Sequence, residues 1–190
     1  MERAETVYRR YPISDNSLPA RYARAIAAYQ HGDPRAALTQ IDALIRTEPS
    51  NPYFHELKGQ ALLEGGKPDE AIAPLRKAVQ SSHKAPLIEM LLGQALVATD
   101  NKARAEEAIS ILRSALSREP EAPLGYTQLA MAYGRTGNLA EADLASAQAA
   151  YLRGDTKTAR DLASRAKTRF AIGSPGWVKA DDIVSTKPAN

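Results

Sequence analysis

Aligned on itself, the chain returns to one pattern at intervals of about 34 residues, a period that belongs to small units which bury their faces only against neighbours. Three segment ends mark the period: Arg-Thr-Glu-Pro at 46–49, Ser-Ser-His-Lys at 81–84 and Arg-Glu-Pro at 118–120. Upstream of each stand a turn, a small alanine and then apolar residues at helical spacing. The sets are Ala37, Leu38, Ile41, Leu44 and Ile45; Ala71, Ile72, Leu75, Ala78 and Val79; and Ala108, Ile109, Leu112, Ala115 and Leu116. Each follows i, i+1, i+4, i+7, i+8, which places one apolar stripe along a helix.

Before each striped helix runs another helical stretch, and the turn between them is written in glycine, asparagine, aspartate and proline. Gly32-Asp33-Pro34, Gly65-Gly66-Lys67-Pro68 and Gly137-Asn138 are the clearest. Glycine accepts the left-handed conformation that ends a helix, Asp or Asn caps the next one, and proline suits the first helical position. Asn138 followed by Glu141 has the spacing of a loose capping box. The third hairpin has no such glycine, and Thr99 to Glu106 reads as a lengthened turn that bulges outward without disturbing the helices.

Composition agrees with helices. Alanine is abundant, aromatics make up 6%, and the 44% hydrophobic, 25% charged balance is that of a globular chain. The expectation is an all-α fold, a right-handed superhelix of antiparallel helix hairpins. The formal net charge is only +3 because Lys and Arg alternate with Asp and Glu along most helices. Only Arg153, Lys157, Arg160, Arg165, Lys167 and Arg169 form a basic stretch, and no aromatic stacking platform accompanies it, so nucleic acid is not the expected partner. With no cysteine, disulfides and thiolate metal sites are excluded. No apolar run is long enough to span a bilayer, and residues 1–20 carry no signal-peptide core.

In this pattern the chain resembles the tetratricopeptide-repeat (TPR) family, whose consensus has Gly or Ala at position 8 and Ala at position 20. Position 8 is Ala25, Gly59, Gly93 and Ala130; position 20 is Ala37, Ala71, Ala108 and Ala142. Small residues there let the two helices of a hairpin approach closely. The chain departs from the consensus at His83, where proline is expected, and at Arg21, His55 and Glu89, where tryptophan is preferred. The segment 139–153 is expected to serve both as partner of the fourth hairpin and as first helix of a shortened fifth. The organisation so read is a short helix and connector over 1–18, four to five hairpins over 19–172, and a capping helix and tail over 173–190, with Trp177 covering the open end and residues 186–190 frayed.

Candidate chemistry is sparse. His55-Glu56-Leu57-Lys58-Gly59 begins like a zinc-protease helix, but Gly59 stands where the second histidine must be. Carboxylate pairs such as Glu106-Glu107 and Asp181-Asp182 read as solvated or dipole-facing charge. No catalytic, metal or cofactor residue is assigned. The TPR resemblance implies a partner-binding groove lined by positions 2, 5, 9, 12 and 13 of the first helices. Here these include Tyr22, Ile26 and Tyr29; Gln60 and Leu63; Met90, Gln94 and Val97; and Thr127, Met131 and Arg135. Such a row suits an extended protein segment, although several members can equally pack between helices. The Lys and Asn of a two-carboxylate clamp are missing from it, so capture of a free C-terminus is not expected.

A second resemblance is more specific. Tyr-Arg-Arg-Tyr-Pro (8–12), Ser-Asp-Asn-Ser-Leu-Pro-Ala-Arg-Tyr-Ala (14–23), Asn-Pro-Tyr-Phe-His-Glu-Leu-Lys-Gly-Gln-Ala-Leu (51–62) and Gly-Ser-Pro-Gly-Trp (173–177) are similar to the C-terminal region of bacterial M48-family zinc metallopeptidases of the β-barrel assembly-enhancing type. That resemblance implies a periplasmic protein whose zinc sits in a separate peptidase domain, with this region docking on that domain and on outer-membrane assembly partners or substrates, and Met1 as an expression start. None of the family's catalytic residues falls on a position here. The alternative is a freestanding adaptor that binds peptides or self-associates.

Overall fold

The computed structural model describes residues 4–32 and 34–185, and every regular element among them is an α-helix. Residues 1–3, Asp33 of the first hairpin turn and the tail 186–190 lie outside the described residues. The chain divides into two compact units, 1–88 and 89–190.

The first unit holds α1 (Ala4–Arg10), α2 (Leu18–Gln30), α3 (Pro34–Thr47), α4 (Pro52–Glu64), α5 (Pro68–Ser81) and the opening of α6 (Pro86–Ala98). Helix α2 packs along α3 and α4 along α5, with α3 also against α4. The apolar stripes seen in the sequence form the seam: Ala25, Ala37, Ile41, Leu44, Phe54 and Leu57 share one buried cluster. Gly59 shows why position 8 must be small, since a Cβ there would lie 2.3 Å from Leu75 Cγ. The leucine four residues beyond the position-20 alanine thus fills the space that the missing side chain leaves.

The N-terminal connector is fixed by a buried cation. Arg24, 8% exposed, donates through Nη1 to the carbonyls of Pro12 (2.8 Å), Asp15 (2.9 Å) and Tyr11 (3.3 Å). These bonds hold the segment between α1 and α2 against the second of them. The Asp15 side chain accepts from Ser17 N, and that bond chiefly holds its carboxyl below the ordinary range.

The second unit contains the rest of α6, then α7 (Lys102–Arg118), α8 (Pro123–Thr136), α9 (Leu139–Leu152), α10 (Thr156–Lys167) and α11 (Pro175–Ser185). The same close approach recurs, with a Cβ on Gly93 only 2.6 Å from Leu112 Cγ. Helix α9 packs extensively against both α8 and α10. Its buried alanines, Ala145, Ala147, Ala149 and Ala150, carry no bulk on either side.

Three local expectations are corrected. The turn of the third hairpin is not lengthened: α6 ends at Ala98 and α7 begins at Lys102. The inserted residues extend α7 instead, to 17 residues against 14 in α3, α5 and α9. Asp100 turns the chain there with φ 56°, as glycine does at Gly32, Gly66, Gly137 and Gly154, and Asn101 Oδ1 caps α7 by accepting from Arg104 N at 3.1 Å. Asn138 makes no capping bond with its side chain, so the capping box does not form. At the C-terminal end the buried closure comes from Ala180 and Ile183, packed with Ala159, Ala163 and Ala166 of α10. Trp177 stays half-buried at the rim, with the Lys167 ammonium 4.4 Å from its ring centroid.

His83, too, acquires a reason. It has φ 53° and its neighbour Lys84 φ 64°, a conformation closed to proline, whose ring locks φ near −65°.

Candidate functional site

Helices pack through their striped faces, so what is left for a partner is the opposite row on the first helix of each hairpin. In the first unit that row lies on α2 and α4. Tyr22 is half-buried, its ring tilted 47° against Phe54 at a centroid distance of 5.4 Å. Ile26 and Tyr29 are likewise partly exposed and lie against the core cluster. On α4, Gln60 Nε2 donates to Glu64 Oε1 at 3.0 Å, and Leu63 is partly exposed. Tyr29 ties the two helices: its phenol is held up chiefly by burial and then by Glu64, while Gln60 opposes the shift.

Two residues of this face are absent from the groove set read from the sequence. Tyr53 is 60% exposed, and Glu56 is half-buried. Both occupy the frame's own positions 2 and 5 on α4, so the repeat register was the signal that could have found them. Tyr53 and Glu56 lie one turn apart on α4, beside Phe54, which the Tyr22 ring meets, and the Tyr22 phenol is raised chiefly by burial and then by the charge of Glu56 and by Tyr53. Burial also raises Glu56. Among the described residues, Glu56 has neither a hydrogen bond nor a cation as partner.

In the second unit the expected residues separate. Met90 is 6% exposed and Val97 1%, so both belong to the packing of their helix rather than to a surface. Gln94 and Thr127 are partly exposed, and Met131 is 46% exposed. Arg135 pairs with Asp100. Thr127 and Met131 line a cleft of about 330 Å³ between α8, α9 and α10, where Arg153 Nη1 donates to Thr127 Oγ1 at 3.1 Å. A larger groove of about 720 Å³ opens on another face, between α7, α8, α9 and α11. Tyr126, Tyr133 and Tyr151 stand around its floor of Leu116, Leu129 and Leu144. Burial and then Glu141 push the Tyr133 phenol up, against Arg113. Sequence reasoning missed this groove because it depends on where α11 returns, which no periodicity encodes.

The basic stretch is largely consumed internally. Asp143, 7% exposed, accepts from Arg165 at 2.5 Å and from Arg169, and Lys167 pairs with Asp181. His55 meets Pro49 O at 2.8 Å through Nε2 and has no second histidine beside it. Among the described residues no three His, Asp or Glu side chains converge as a metal site would require, and no helix is long and apolar enough to cross a membrane.

Hairpins closed by a small residue against a leucine define a TPR-like all-α fold, a class that typically binds proteins rather than catalysing reactions. Residues 22–86 and 142–165 match the family described as tetratricopeptide repeat. Among curated proteins none matches the chain in sequence. Among solved structures, MamA from Desulfovibrio magneticus RS-1 is similar at 18% identity and TM-score 0.69, over 88% of this chain and 91% of that one. YrrB, a TPR protein described as having an unusual peptide-binding site, gives 18% identity and TM-score 0.66 over 95% and 93%. TTC0263 from Thermus thermophilus, a thermophilic TPR protein, gives 18% and 0.56 over 88% and 99%.

Proposed function

We propose that the chain is a non-catalytic interaction module that holds an extended segment of another protein along the free row of its first helices. The observation that carries this reading is the face of α2 and α4, where Tyr22, Ile26, Tyr29, Tyr53, Gln60 and Leu63 remain partly or largely exposed although the same helices bury their other stripe. Aromatic and amide side chains held on rigid helices offer contact area and hydrogen bonds at low entropic cost. The peptide-binding site ascribed to the neighbour YrrB supports the same use of this fold.

The finer part of the proposal is the setting: the C-terminal part of a periplasmic M48-type zinc metallopeptidase, docking on the peptidase domain and on outer-membrane assembly partners or substrates. Its support is the similarity of the strings at 8–12, 14–23, 51–62 and 173–177. Zinc then belongs to the other domain, and this chain contributes no ligand to it.

Two experiments test these levels separately. Selection from a random displayed-peptide library on the intact chain should enrich a defined set of segments, and Tyr53→Ala together with Gln60→Ala should abolish their retention. Enrichment that survives both substitutions removes the α2–α4 face from the proposal. For the setting, an in-frame upstream sequence carrying His-Glu-x-x-His is expected; a stop codon immediately before Met1 refutes it and leaves the freestanding adaptor.

A further inference from the structure

The face of α2 and α4 is not only aromatic but charged with one sign. Tyr22, Ile26 and Tyr29 on α2, and Tyr53, Glu56, Gln60, Leu63 and Glu64 on α4, include no lysine or arginine. The cations of the same two helices are committed elsewhere. Arg21 donates to Ala43 O at 2.9 Å, Arg24 to the connector carbonyls, and Lys58 to Asp42 at 2.7 Å. Glu64 is engaged by Gln60 and Tyr29. Glu56 alone is left half-buried, one turn from Tyr53 on α4 and on the helix whose Phe54 meets the Tyr22 ring, with no counter-charge among the described residues. A carboxylate partly withdrawn from water without a cation is a cost to the free protein that an incoming cation relieves. The phenol rings beside it have electron-rich faces that favour the same charge.

We propose that this face receives a lysine or arginine side chain of the bound segment, its cation paired with Glu56 and its aliphatic stem laid against Tyr22 and Tyr53. The inference rests on the interaction reading above and names the chemistry of the partner: an extended protein segment with a basic residue beside apolar ones. An anionic membrane surface or a nucleic acid would be repelled by the same carboxylate.

Two fluorescein-labelled peptides test it by anisotropy on the full chain. One is Pro-Lys-Leu and the other Pro-Glu-Leu, each repeated about four times so that both favour an extended polyproline-like form. The basic peptide is expected to bind at least about tenfold more tightly than the acidic one. Glu56→Gln should weaken it by about tenfold, and Tyr53→Ala should weaken it as well, with helical circular dichroism unchanged in both variants. Glu70→Gln, an exposed acid on α5 that pairs with Lys67, should leave binding as it was. Equal binding of the two peptides, an unaffected Glu56→Gln variant, or an equal loss in Glu70→Gln overturns the assignment. Failure of both peptides overturns it too, while the interaction reading falls only if the displayed-peptide selection is also empty.

Discussion

Arg24 and Glu56 sit on adjacent first helices and carry opposite consequences for the chain. Arg24 satisfies three carbonyls at once, so Arg24→Ala strands acceptors that the connector cannot easily turn to water. The expected loss is about 2–3 kcal/mol in urea unfolding, with new proteolytic cleavage between residues 11 and 17. Glu56→Gln should raise the urea midpoint at neutral pH while impairing partner binding, a sign that a merely structural carboxylate would not give. Its raised folded-state pKa means that the penalty is present above that value and fades as pH falls toward the ordinary 4.5, so the difference between variant and parent should shrink in acid. At this scale the sequence discloses small residues better than polar ones. Gly59 and Gly93 are readable because their size is dictated by an adjacent helix. The partners of Arg21, His55 and Glu89 are not readable, yet each reaches the last turn of a second helix or the turn just beyond it: Ala43 O and Thr47 Oγ1, Pro49 O, and Arg118. A polar side chain's partner is chosen by where distant segments arrive.

Helix boundaries follow the same logic one level up. Turns written with glycine are legible, because few residues tolerate a positive φ; the turn at Asp100 is hidden, since an aspartate there looks like any loop residue. Caps divide in a testable way. Asn101→Ala should cost about 1 kcal/mol by freeing the start of α7, at any pH where the chain is folded. The start of α10 depends instead on Asp155, whose side chain accepts from Thr158 N at 3.1 Å. Hydrogen bonds from Thr158, first through its side-chain hydroxyl and then through this N–H, hold the Asp155 carboxyl below the ordinary 3.8. A lowered folded pKa gives stability that is complete above 3.8 and is lost as pH falls through the folded value, so amide protection in the first turn of α10 should decline in acid before that of α7.

For the molecule as a whole, hairpins that bury their faces only against neighbours make the exposed ends the weak points. Helix α11 closes one such end by laying Ala180 and Ile183 on the alanine row of α10. A chain stopped after Gly173 should lose hydrogen-exchange protection in α9 and α10 while α2 to α5 keep theirs. Equal loss throughout would mean that the chain unfolds as one cooperative block. The existence of a closing helix is legible from Ser174-Pro175, which starts it; the residue that closes is not, because Trp177 is the larger apolar side chain and still lies at the rim.

The lengthened α7 carries a practical corollary. Its extra residues lie wholly before Ala108, and the span from that alanine to the helix end, Ala108 to Arg118, matches Ala37 to Thr47, Ala71 to Ser81 and Ala142 to Leu152. Nature has thus already spliced material into one place without shifting the phase of anything downstream. The front of α7 is therefore the natural port for an epitope, a fluorophore or a second binding peptide.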